Sequence, residues 1–110
     1  MPSKETETTN NLIGTRLREA RLRANLPQDK LGVLIGLDEG SSSARISRYE
    51  TGIHEPALAT AQKLAEILNL PLCYLYCEDD EMAELILVLH ALKKSELQKL
   101  LRQYEIPKVS

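Results

Sequence analysis

Cysteine is scarce in this chain: among its 110 residues only Cys73 and Cys77 carry a thiol, and they sit close together in an apolar stretch. Two reduced, partly buried thiols are expected there rather than a disulfide. No histidine or second cysteine pair stands near enough in sequence to complete a tetrahedral set, so no metal site is expected. A long apolar run is also lacking at the start, where Met1 to Asn10 is polar, with three threonines and Pro2. Such a segment suits neither a secretory signal nor a membrane anchor, and a cytoplasmic location is expected. Alternating β-branched runs flanked by turns are missing too, so no strand is expected.

An excess of positive charge is likewise absent. The net charge is −2, which on its own argues against a polyanionic partner, because nucleic-acid affinity rests largely on cations set against phosphates. The distribution changes that reading. Residues 1–58 hold eight cations and eight acids, and seven of those cations fall between Arg16 and Arg48. The remainder carries the whole deficit, with Glu78-Asp79-Asp80-Glu81 as its densest acidic run. That run suits the start of a helix, where negative charge complements the dipole.

What the chain does have is helical periodicity. Ile13, Leu17, Ala20 and Ala24 recur three and four apart, predicting a first helix over about residues 11–24, with Arg16, Arg18 and Arg23 mostly outside and Asn25 ending it. A short second helix follows from Pro27 or Gln28 to Ile35, stopped by Gly36. Residues 38–43 read as a loop whose serines can cap a third helix, expected at about 43–51 and closed by Gly52. Pro56 opens a fourth helix with Leu58, Ala61, Leu64, Ala65 and Leu68 on one face, ending at Asn69, and Pro71 opens a short apolar turn. Two further amphipathic helices carry Met82, Leu85, Ile86 and Leu89, then Leu97, Leu100, Leu101 and Tyr104, and read as a hairpin.

Two short helices around a turn, the second ending in Ile46-Ser47-Arg48-Tyr49-Glu50-Thr51-Gly52, resemble the phage-repressor and Cro helix-turn-helix family, also called the xenobiotic-response-element family. The resemblance runs from about Ile13 to Leu75 and includes Arg21, Leu26-Pro27-Gln28, Leu31, Gly32, Gly36, Ile46, Tyr49-Glu50, Gly52, Pro56 and Leu70-Pro71-Leu72. It implies a five-helix repressor-like helix-turn-helix DNA-binding domain over 11–77; the helical patterning on either side makes the whole chain an expected all-α fold, with a flexible tail over 1–10 and a C-terminal helical hairpin over 78–106 that makes a dimer. It also implies an ion pair between Arg21 and Glu50. By the same resemblance Ser43, Ala44, Ser47 and Arg48 face base edges, while Gln28, Ser42, Arg45 and Thr51 lie near the DNA backbone. Arg48 is the preferred base reader because a guanidinium can bond both O6 and N7 of guanine.

Three features depart from the family pattern. Between Leu37 and Ile46 the chain holds about four residues more than the usual turn, Pro27 stands where a Ser or Thr cap is common, and Ile53-His54 replace basic residues. Leucines in the last two helices exceed what a surface hairpin needs, which marks Leu85, Ile86, Leu89, Leu97 and Leu101 as a dimer interface. No catalytic constellation is visible, and neither enzyme activity nor a cofactor is expected. The expected function is sequence-specific binding of double-stranded DNA by a homodimeric transcriptional regulator, a repressor, on a pseudo-palindromic operator. The alternative is an antitoxin or adapter whose C-terminal helices hold another protein.

Overall fold

The computed structural model describes residues 11–107 and residue 109, so the expected tail over 1–10 lies outside the described residues. Among the described residues there are seven helices and no strand: α1 (Leu12–Arg23), α2 (Gln28–Leu34), α3 (Glu39–Thr51), α4 (Leu58–Ile67), α5 (Leu72–Leu75), α6 (Asp80–Ala91) and α7 (Lys94–Gln103).

Three of the helices end by the same device. After α1, Asn25 takes a positive φ of 56°, its amide bonds the Leu22 carbonyl, and the Leu26 amide bonds that of Arg21. Asn69 repeats the pattern after α4, and Gly36, at φ 99°, does so after α2. Each turn satisfies two carbonyls that a helix end otherwise leaves without partners. Asparagine tolerates this conformation and glycine adopts it freely, so the residues that stop these helices follow directly from backbone sterics.

The core lies within α1–α5. Leu17, Leu31, Ile46, Leu64 and Leu75 are fully buried, with Tyr74 beside them. α2 and α3 form the most closely packed helix pair, and α1 and α4 flank it. Gly32 makes the close approach possible: a Cβ there would stand 1.9 Å from the hydroxyl of Ser42.

That contact corrects the reading of residues 38–43 as a loop. α3 begins at Glu39, with Asp38 in extended conformation ahead of it, so the four additional residues form an extra first turn of the helix. The turn is held because it carries Ser42 onto the inward face with Ile46 and Tyr49, where its hydroxyl donates to the Asp29 carbonyl. Local preference of the serines for loops yields to this packing.

α6 and α7 extend from the five-helix unit. Ala83 is the buried residue of α6, while α7 has none. Ile86 and Leu87 pack against the core, and Met82, Leu85 and Val88 are exposed. The radius of gyration, 16.2 Å, exceeds the roughly 13 Å of a compact chain of about 100 residues. α6 starts on the Asp79 side chain, which accepts from the Met82 amide at 3.1 Å, and Asp80 and Glu81 occupy its first turn.

Candidate nucleic-acid interface

The outward face of α3 follows from its inward one. Ser42, Ile46, Tyr49 and Glu50 are buried at spacings of four, three and one, which turns Gly40, Ala44, Ser47, Arg48 and Thr51 to the opposite side. Ser43, Ala44, Arg45, Arg48 and Thr51 are exposed and Ser47 is half-buried. The surface is shallow and small near the helix axis, with long cationic side chains beside it. Neither Arg45 nor Arg48 takes part in an ion pair among the described residues. Both guanidiniums are free to meet an anion or a base edge.

A buried polar network fixes this helix from behind. Arg21 grips Glu50 through Nε to Oε2 at 2.5 Å and Nη2 to Oε1 at 3.1 Å. Its remaining Nη1 donates to the Leu26 carbonyl at 2.9 Å, at the end of the α1 turn. Gln28 Nε2 donates to Glu50 Oε1 at 3.1 Å, and Ser43 Oγ donates to Gln28 Oε1 at 3.3 Å. Four groups from α1, α2 and α3 thus share one carboxylate and its neighbours. A carboxylate this buried is tolerable because its charge is paired and its lone pairs are occupied.

Not every expected contact residue is available. Ser42, expected near the DNA backbone, is fully buried against Gly32 and faces away from solvent. The added turn of α3 is the cause, because it rotates Ser42 inward and brings Glu39, Gly40 and Ser41 to the exposed start of the helix. Thr51 is exposed, but its hydroxyl donates back to the Ser47 carbonyl at 2.9 Å, leaving oxygen lone pairs rather than a proton to offer. Of the expected interface residues, Ile86 packs on its own chain's core, whereas Leu85 and Leu101 are exposed and Leu89 and Leu97 half-buried.

The helix-turn-helix model matches residues 17–75, more than half of the chain and nearly all of α1–α5. The chain belongs to the helix-turn-helix family. In the phage-repressor and Cro type that its residues resemble, α2 and α3 are the two helices of the motif and α3 is the recognition helix. Two curated relatives are described as uncharacterized HTH-type transcriptional regulators, one from Sinorhizobium medicae (strain WSM419) and one from Rhizobium meliloti (strain 1021). Each is 28% identical over 64 residues, covering 58% of this chain and 43% of the relative. The chain therefore matches less than half the length of those relatives. It is also similar to the solved structure of transcriptional regulator BswR, at 47% identity and a TM-score of 0.77, over 83% of this chain and 93% of that one. That coverage is more than the five-helix unit can supply, so the likeness continues into the C-terminal helices.

A second residue of this helix-turn-helix chain, besides Ser42, departs from its expected exposure. Arg16, expected mostly outside, is 3% exposed. Its Nε donates to the Cys77 carbonyl at 2.9 Å and Nη2 to that of Glu78 at 3.2 Å. Carboxylates of Glu19 and Asp80 lie at 3.1 and 3.0 Å, and the Tyr74 ring lies 5.9 Å below the guanidinium. Burial by itself lowers the pKa of this group, yet Asp80 and Glu19 outweigh that effect and raise it, so Arg16 stays cationic. The signal was present in the sequence: Arg16 lies three residues after Ile13 and four before Ala20, inside the apolar stripe of α1.

Proposed function

We propose that the chain is a transcriptional regulator that binds double-stranded DNA sequence-specifically as a homodimer, and that it represses by occupying a pseudo-palindromic operator. The observation that carries this reading is α3 itself, a helix with an exposed face bearing Arg45 and Arg48, braced from behind by Arg21, Glu50 and Gln28. A helix so held can enter a major groove without losing its orientation, and its short side chains let the backbone approach the base edges. Ser43, Ala44, Ser47 and Arg48 are assigned to base edges, and Gln28, Arg45 and Thr51 to the backbone.

The dimer rests on α6 and α7. Leu85, Val88, Leu101 and Tyr104 are large apolar side chains about half or more exposed, and on α6 they form a stripe opposite the buried Ala83. The polar surfaces of the two helices are opposite in sign: Asp80, Glu81 and Glu84 on α6, Lys94, Lys99 and Arg102 on α7. A second copy supplies both an apolar stripe and the complementary charge for each helix. Repression by occupancy requires only tight operator binding. Selection of bound fragments from random duplex DNA tests the reading, and enrichment of inverted half-sites supports it. Co-purification of a different protein on α6 and α7 with no enriched DNA would favour the antitoxin or adapter reading instead.

A further inference from the structure

Two guanidiniums of α1 are buried, and they serve different partners: Arg21 holds α3, whereas Arg16 holds the joint through which α6 leaves the five-helix unit. The Arg16 bonds fall on successive positions of that joint, the Cys77 carbonyl just after α5, the Glu78 carbonyl in the link, and the carboxylate of Asp80 at the first position of α6. Little else fixes the direction of α6. Ala83 is buried, Ile86 and Leu87 pack on the core, and beside them a polar cleft of about 310 Å³ separates α1 from α6, lined by Thr15, Glu19, Arg23 and Glu84 among others. The joint is thus narrow, and one planar side chain from the DNA-binding unit spans it. A guanidinium suits this task because its donors have fixed directions, which an ammonium lacks.

We infer that Arg16 is a positioning residue for operator recognition: by fixing the angle at which α6 leaves α5, it sets the separation of the two recognition helices and hence the half-site spacing that the dimer accepts. The inference rests on the reading that α6 and α7 make the dimer. Adding one base pair between half-sites rotates them by about 34° and moves them by about 3.4 Å, which a rigid joint resists and a loose one accommodates. Arg16 touches no DNA in this account. Its loss broadens spacing while leaving the preferred half-site sequence alone.

The test is a titration of the intact chain against duplexes that carry the selected half-sites at the preferred spacing and at one base pair more or less. Wild type, Arg16→Ala, Arg16→Lys and Asp80→Ala are compared, with sedimentation for oligomeric state and thermal melting for folding. The wild-type preference for its own spacing is expected to be about tenfold or more, and in Arg16→Ala to fall to within about threefold, with dimerisation and half-site sequence unchanged. Arg16→Lys keeps the charge in place but not the fork, and is expected to broaden spacing as well, so it decides the matter if the alanine variant does not fold. A folded, dimeric Arg16→Lys or Arg16→Ala protein with the wild-type spacing preference overturns the inference. A wild-type chain that is monomeric on its operator is a different result, and removes the dimer reading instead.

Discussion

Arg21 and Glu50 show how a charge inside a small protein is made tolerable. Each occupies the donors or lone pairs of the other, and Leu26 and Gln28 take up what remains. Removing one partner strands the other in a buried place, so Arg21→Ala or Glu50→Ala is expected to destabilise the fold by about 3 kcal/mol. The double variant should cost markedly less than the two single losses combined, and chemical denaturation of all four proteins measures that coupling. Arg48 is the opposite case, exposed and in no ion pair among the described residues. Arg48→Ala is expected to leave stability within about 0.5 kcal/mol and to weaken specific DNA binding by about 1–3 kcal/mol, relaxing preference at one base pair. Loss that fell equally on all sequences would make Arg48 a backbone contact. The pairing of Arg21 with Glu50 was readable because their residue types and spacing match a family pattern. The burial of Ser42 was not legible, because it follows from a contact with α2 and not from a pattern along the chain, and that of Arg16 was signalled by its place in the apolar stripe of α1 but masked by its residue type.

Helix ends in this chain are written locally, and the start of α3 is not. Asn25, Gly36 and Asn69 each end a helix by a left-handed residue, a requirement of backbone sterics alone, and each was legible in the sequence. The start of α3 depends instead on the fit of Ser42 to Gly32, a contact between helices that no window of the sequence reveals. A methyl group at Gly32 has no room, so Gly32→Ala is expected to destabilise by about 1–3 kcal/mol. Because the displaced element is the recognition helix, DNA affinity should fall further in this variant than unfolding alone explains, which titration at a temperature where the variant is folded measures. Unchanged stability and affinity would mean that α2 and α3 can separate without consequence. The C-terminal helices were legible in number and approximate limits. That Ile86 turns back onto its own core was not, since Leu85, Ile86 and Leu89 look alike in the pattern and only packing divides them between two surfaces.

On the proposed function, the chain as a whole joins a weak reader to an apparatus for pairing two of them. One recognition helix with a few base-reading side chains binds modestly, and linking two makes the second contact intramolecular. Placing charge on the exposed stripe with Leu85→Asp and Leu101→Asp together is expected to yield a folded monomer, with operator affinity lower by about 100-fold or more. Sedimentation and operator titration check it, and a doubly substituted protein that still dimerises would move the interface into α1–α5. The net charge of −2 fits this division, since residues 1–58 balance their cations against their acids and the remainder carries the whole deficit. The central claim is that the exposed face of α3 reads duplex sequence in a two-fold pair, and selection of bound fragments from random duplex DNA by the intact chain at physiological salt tests it most directly. The account predicts enrichment of two inverted half-sites about one helical turn apart, with one position lost when Arg48→Ala is used in place of wild type. Recovery of fragments with no common sequence, or of a single half-site with no two-fold mate, would contradict it.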